Sequence, residues 1–303
     1  MSVVPIIKSI AKRVAPAALG FAATTIVNRG VRFIQEADPH FARTKGGTAI
    51  IRTITLNDGT AVRVLQQGGV FESATYLDEQ RYTPVFAYQR AFNRVFQASL
   101  PLDDILMLGG GGYAWPKQVI ASRPNIQLDV VEIDPAITAL ARRWFFLDQL
   151  YQDFPAAKTH LNIIHDDGRV FLEESPRLYS AIVNDTFSGK SPVMNLATTE
   201  ALHLIKEHLV EGGIYATNVV SEDEGQNISF LRDVVTTARG VFDHVWIIPC
   251  EDELFGLEDN YLVVASDDSH PFSDTLSFDG DFLTAPLRDN ALGLESASNK
   301  TEA

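Results

Sequence analysis

The sequence predicts an α/β fold: an open, mostly parallel sheet with helices on both faces, preceded by a small β-rich domain. Three observations predict it. Short apolar runs recur between Asp104 and Val220, most ending in glycine or acidic residues, each followed by a helix-compatible stretch. Residues 46–75 instead carry β-branched runs joined by turn signals. The chain has 303 residues, 46% hydrophobic and 21% charged, which can bury a sizeable core without disulfide staples. Its one cysteine, Cys250, excludes an intramolecular disulfide and points to a reducing, cytoplasmic compartment.

Residues 1–45 form a basic segment of net charge +5 and are expected to be helical. Val14–Val27 is apolar and follows Lys8, Lys12 and Arg13, which imitates a secretory signal. It has no clear A-x-A cleavage site, and at 14 residues, broken by Pro16 and Gly20, it is short for a membrane span. An amphipathic helix is the expectation, either packed on the body or touching a membrane surface through residues 1–33.

The β-rich domain covers 46–100. Thr48–Leu56 and Ala61–Leu65 read as strands joined by the hairpin signal Asn57-Asp58-Gly59. Gln67-Gly68-Gly69 punctuates the next connection, and Val85–Ala98 has helical spacing.

The sheet domain covers 101–270. Its strands are Asp104–Leu108, Leu128–Ile133, Leu161–Ile164, Ser180–Val183 and Ile214–Val220. His244–Ile248 and Asn260–Ala265 follow without a long helix between them, as an antiparallel edge pair, making seven. Pro116 fits a helix start, with the helix running through Arg123, and Pro135 fits one running to about Leu150. Residues 271–303 read as an irregular, solvated acidic tail. The net charge of −14 concentrates near the C-terminus, where residues 251–303 carry −11. That balance disfavours nucleic acid as a partner.

In such a sheet, ligands bind beyond the carboxyl ends of the strands, where the strand order reverses. The first strand ends in Gly109-Gly110-Gly111-Gly112, which allows close backbone approach to a ligand. Gly109 to Ala114 also fits G-x-G-x-x-A, so a nicotinamide cofactor is weighed. Glu132 ends the second strand, where an acid can take both ribose hydroxyls. Asp134, before Pro135, reads better as a helix cap. The third strand ends in His165-Asp166-Asp167-Gly168, where a carboxylate can accept the exocyclic amine of adenine. No further ligand cluster supports a metal there, and none is expected. The fourth ends in Asn184-Asp185-Thr186. Asp185 there could take a proton from an amine nucleophile or hold a cationic substrate.

Together these strand ends resemble the spermidine synthase family of the class I S-adenosylmethionine-dependent, Rossmann-like seven-stranded fold. The similarity runs from about residue 48 to 266. The family's Gly-rich loop, V-E-I-D, G-D-A/G and Y-D-x-I-x-x-D-S-S-D-P are matched by Gly109–Gly112, Val131–Asp134, Asp166–Gly168 and Tyr179–Pro192. Gly68–Ser73 looks like its L-D-G-x-x-Q-S element and Tyr88-Gln89 like its Tyr-Gln or Tyr-His pair. With Tyr76-Leu77-Asp78, the set looks most like the divergent synthase-like branch.

The resemblance implies a donor, S-adenosylmethionine or its decarboxylated form, and a small-molecule amine acceptor. Gly109, Gly110, Gly111, Glu132, Asp167 and Gly168 would bind the donor. Asp185 would be the catalytic base, and Tyr88, Glu72 and Ser188 would lie on the acceptor side. A homodimer is implied as well. Four departures stand out: Gly112 where the family's G-G-G-D-G has aspartate, Ser188 for the second aspartate of D-S-S-D, Glu72 for Gln and Arg90 for Glu. Loss of the loop aspartate removes one reason to prefer the decarboxylated donor. The alternatives are a nucleoside-binding scaffold without turnover and an NAD-dependent oxidoreductase.

Overall fold

The computed structural model describes residues 34–35, 39–56, 58–188, 191–221, 228–250 and 259–294. The helix expected over 1–33 lies outside these residues. Strand β1 (Ile34–Gln35) and strand β2 (His40–Thr44) both pair antiparallel with β3 (Gly47–Thr55). The basic segment is therefore not helical to residue 45. The Lys45-Gly46 turn folds His40–Thr44 back as a hairpin, with Thr44 Oγ1 donating to the Gly47 carbonyl at 2.8 Å. β4 (Ala61–Gln67) and β5 (Val70–Tyr76) complete this antiparallel sheet in the order β1-β3-β4-β5, with β2 also on β3. The β4–β5 pairing shifts register between Leu65 and Gln66: Leu65 faces Ser73 while Gln66 faces Phe71. Glu72 is the extra residue of that bulge. Helix α1 (Ala87–Ala91) runs straight into a 3-10 turn, Phe92–Gln97.

The second sheet follows. β6 (Asp104–Leu108) leads to α2 (Ala114–Ser122), β7 (Gln127–Val131) to α3 (Pro135–Trp144), α4 (Leu147–Asp153) and α5 (Ala157–His160). β8 (Leu161–Ile164) leads to α6 (Gly168–Glu174). β9 (Tyr179–Asn184), the small hairpin β10 (Phe187–Ser188) and β11 (Ser191–Pro192), and α7 (Thr199–Glu207) come next. β12 (Leu209–Ser221), α8 (Ser229–Arg239), β13 (His244–Cys250) and β14 (Asp259–Ser266) finish the sheet. The strand order is β13-β14-β12-β9-β6-β7-β8. The seven expected strands are present. β13 and β14 form the expected antiparallel pair at one edge, with β13 outermost and β14 also antiparallel to β12.

Alternate residues of β6 feed opposite cores. Ile105 and Met107 join the cluster with Trp115 and Phe145, while Leu106 and Leu108 join the one with Leu172 and Tyr215. The sequence order reverses at β6, with β7 and β8 on one side and β9 and β12 on the other. That switch point is where a ligand cleft belongs.

Two expectations are corrected. The helix read from Pro135 to Leu150 is broken at Phe145-Phe146, where Phe146 has φ +61°. Residues 267–294 are irregular and largely exposed, as expected, but they are not a free tail: they are anchored to the body, and 295–303 lie outside the described residues. Leu276 donates to the Ile247 carbonyl at 2.8 Å, Thr199 to the Leu287 carbonyl at 2.9 Å, and Arg232 Nε to the Phe282 carbonyl at 2.7 Å. Phe278, Phe282, Leu283 and Leu287 pack on Val219, Leu231, Val235 and Ile247. The strap turns its apolar side chains inward while acids such as Asp274 and Asp281 stay in water.

Candidate active site

The glycine loop lies at the switch point. Gly109 has φ +88°, and a Cβ there would sit 2.4 Å from the Asp185 carbonyl oxygen, so only glycine fits. The next two amides donate to Glu132 Oε2, Gly110 at 2.9 Å and Gly111 at 3.1 Å. Glu132 Oε1 accepts from the Asp134 amide at 2.9 Å. Glu132 is buried at 7% exposure, so its carboxylate is fixed by three backbone donors. A carboxylate offers about four acceptor positions, which leaves room for a ligand hydroxyl. Asp134 is the N-cap of α3, accepting from Ala136 at 2.9 Å. Its other oxygen takes the Lys45 amide, and the Lys45 ammonium reaches the Ile133 carbonyl at 2.6 Å. The β2–β3 hairpin thereby grips the strand end that carries Glu132.

Asp167 is the N-cap of α6: its Oδ1 accepts from Arg169 at 2.8 Å and Val170 at 3.4 Å, and Oδ2 takes no part in the cap. Gly168 opens that helix with Leu196 and Leu108 close against it.

Asp185 follows β9 directly, its amide donating to the Leu108 carbonyl at 2.9 Å. One Oδ accepts from Asn218 Nδ2 at a long 3.4 Å. Burial pushes the Asp185 carboxyl up to about 7, and the Asn218 amide only partly opposes this. Asn218 Oδ1 is itself buried with no hydrogen-bond partner among the described residues. Two under-committed oxygen acceptors therefore face the cleft end of β9 and β12. Sequence reasoning missed Asn218, which lies mid-run in β12 with no local signal.

A model of the spermine/spermidine synthase domain matches residues 85–247. This chain belongs to the spermine/spermidine synthase family. A polyamine aminopropyltransferase of Vibrio vulnificus is 24% identical over 234 residues, 76% of this chain and 73% of that protein. A probable polyamine aminopropyl transferase of Bifidobacterium longum is 28% identical over 137 residues, 45% of this chain but 28% of that longer protein. The crystal structure of a probable spermidine synthase from Corynebacterium glutamicum superposes with a TM-score of 0.62 at 23% identity, covering 77% of this chain and 81% of that one. It establishes the shared fold.

Two of the departures from the family pattern, Gly112 and Arg90, have defined surroundings in the structure. A Cβ at Gly112 would lie 2.3 Å from Ser73 Oγ, 2.8 Å from Ser73 Cβ and 3.2 Å from Phe145 Cδ1. The family's aspartate does not fit there unless β5 moves. Tyr113, with φ +56°, is fully buried, and its ring lies against Gly110. Its hydroxyl meets Thr138 Oγ1 at 2.8 Å, which also meets His165 Nε2 at 3.0 Å. Arg90 turns its guanidinium onto the carbonyls of Pro84, at 3.1 Å, and Val85.

The residues expected on the acceptor side are placed unevenly. Glu72 occupies the β5 bulge, its carbonyl beside Gly111, and bulges re-aim side chains next to sites. Tyr88 sits in an aromatic row with Phe86 and Phe92, at ring distances of 5.8 and 6.3 Å. Ser188 pairs with Ser191 through the backbone, and its side chain lies outside the described residues. Burial pushes the Cys250 thiol up to about 11, which suits an inert edge-strand residue. Among the described residues no group of three metal-binding side chains occurs, and no helix is long and apolar enough to cross a membrane.

Proposed function

We propose that this chain binds an adenosyl sulfonium and transfers its aminopropyl group to a small amine. The observation that carries the reading is Asp185: a carboxyl at the switch point, beside the glycine loop, with a pKa near 7. An ammonium acceptor cannot attack until it loses a proton. A carboxylate with a pKa near the working pH is suited to take it. Asn218 Oδ1 supplies a second acceptor for the amine's N–H groups. The nitrogen lone pair then forms a bond to the carbon beside the sulfonium. The C–S bond breaks, its electrons neutralise the sulfur as a thioether, and Asp185 carries off the proton. Glu132 holds the ribose and Asp167, through Oδ2, the adenine amine. Gly109, Gly110, Gly111 and Gly168 allow the backbone to approach. Glu72, Tyr88 and Ser188 are assigned to the acceptor side. The chemistry needs alignment and a neutral amine, and no metal.

A second reading, transfer from intact S-adenosylmethionine, rests on Gly112. No carboxylate stands there to repel that of the intact donor, and Ser73 and Phe145 occupy the space. Incubation with each donor and a set of diamines, followed by mass analysis, separates the readings. Methylthioadenosine as product supports aminopropyl transfer; S-adenosylhomocysteine supports methyl transfer. Binding of donor with neither product would favour a scaffold. The homodimer is part of the same reading, and light scattering of the purified chain tests it.

A further inference from the structure

Lys117, in the first turns of α2, is 1% exposed, yet its amine has no carboxylate partner among the described residues. It donates instead to three uncharged oxygens: the Phe145 carbonyl at 2.5 Å, the Arg81 carbonyl at 3.3 Å and Thr75 Oγ1 at 3.4 Å. These belong to three elements: the α3–α4 break, the connection after β5, and β5 itself. Burying an ammonium is costly, and a methionine of similar shape would avoid that cost. What methionine lacks is three directed bonds. Burial brings the Lys117 amine down to about 7, and the three acceptors match the three hydrogens of its protonated form.

Two of the three tethered elements also build the wall at Gly112. Ser73 stands two residues before Thr75, on the same face of β5, and its buried hydroxyl abuts Gly112. The Phe145 ring touches the same glycine while its carbonyl takes the Lys117 amine. The loop runs from Gly109 at Asp185, past Gly110 and Gly111 at Glu132, to Gly112 at β5. A nucleoside held by Glu132 therefore leaves the Gly112 end of the loop to whatever extends from its sulfur.

We propose that Lys117 is a positioning residue that fixes β5 and Phe145 against Gly112 and so sets the part of the site that meets the donor's aliphatic arm. The inference rests on the reading of this cleft as an adenosyl-sulfonium site. Lys117→Met is compared with the wild type by titration with two probes: the preferred sulfonium donor, and methylthioadenosine, which lacks the arm. The variant should lose about tenfold in affinity for the donor and less than threefold for methylthioadenosine. Amide hydrogen exchange should quicken at 71–76 and 109–113 and stay unchanged at 179–184. Thr75→Val, which removes one of the three acceptors, should shift both readouts the same way but less, and carries the test if Lys117→Met does not fold. Equal losses for the two probes, or unchanged exchange at 109–113, overturn the proposal. If the wild type binds neither probe, the reading of the site falls and the exchange measurement alone decides the role of Lys117.

Discussion

Two aspartates of the large sheet, Asp129 within β7 and the half-buried Asp185 beyond β9, are treated in opposite ways. Asp129, in the middle of β7, is 3% exposed and accepts from Tyr179 Oη at 2.8 Å, Arg177 Nη1 at 2.5 Å and Asn162 Nδ2 at 3.3 Å. At the carboxyl ends, among the described residues, Asp185 has one side-chain donor at 3.4 Å, and its neighbour Asn218 keeps an orphaned oxygen. The first network is filled, so it holds strands together. The second is short of donors among the described residues, which costs stability and, on the proposed reading, leaves capacity for a substrate. Same sheet, same residue type; partner supply decides the role.

The largest effect expected is at Asp185. Asp185→Asn should lower turnover by about 10²–10⁴-fold, the usual range for a lost general base, and leave methylthioadenosine binding intact. Survival of activity would remove the base from the mechanism. The wild-type kcat/KM should rise with pH through about 7, as the carboxyl ionises. Stability should move the other way. The folded pKa lies above the unfolded 3.8, so the group's stabilising contribution is full below about pH 4 and is lost as pH rises through 7. Asp185→Asn abolishes that decline. At neutral pH the inactive variant should therefore melt a few degrees above the wild type. A lower melting temperature would show that the carboxylate is satisfied by groups on the native chain.

Asp129→Ala tests the other aspartate. It strips three donors of their acceptor, one of them the guanidinium of Arg177. The loss should be about 2–3 kcal/mol of stability, read by urea denaturation, with kcat and KM unchanged at permissive temperature. A selective fall in kcat would join the two aspartates and dissolve the contrast.

The strap is the next smaller term. Asp289 accepts from Thr198 Oγ1 at 2.6 Å and from Arg169 Nη2 at 3.0 Å, tying the C-terminal segment to the starts of α6 and α7. Arg169 lies two residues after the cap Asp167 and also donates to the Asn195 carbonyl at 3.1 Å. Asp289→Ala should cost about 1–2 kcal/mol and raise the donor KM a few-fold, because the α6 start loses one of its props. An unchanged melting curve would mean the strap is held by its apolar side chains alone.

Much of this was legible in the sequence because buried parallel strands are short continuous apolar runs, and because their ends carried glycine and acid. Asp104–Leu108 and Leu161–Ile164 match the structure residue for residue. The α3–α4 break was not legible, since Trp144-Phe145-Phe146 contains no glycine or proline. It is made from outside: Lys117 takes the Phe145 carbonyl, and Arg63 takes the Trp144 carbonyl at 2.8 Å while lying over both the Trp144 and Phe146 rings. Cations from other elements cap a helix C-terminus that its own sequence leaves open. The strap was hidden by composition. Its acids read as a solvated tail, and its irregularly spaced Phe278, Phe282 and Leu287 have no period for pattern reading to find. The Gly112 wall was legible only as a missing aspartate; that Ser73 fills the gap depends on the β5 bulge, a tertiary feature.

The smallest effect expected is at Arg90, and it sharpens the contrast. By sequence, an arginine in place of the family's glutamate opposes a cationic acceptor if it faces the site. In the structure its guanidinium is spent on the Pro84 and Val85 carbonyls, at the start of α1. Its charge is thus tied to the backbone, as that of Arg177 is tied to Asp129, and lies outside the set of groups left open for substrate. Arg90→Ala should cost about 1 kcal/mol of stability for the lost hydrogen bonds and leave the KM for the amine within about twofold. A clear fall in that KM would mean that the guanidinium reaches the acceptor and joins Tyr88, on the same helix, at the acceptor side.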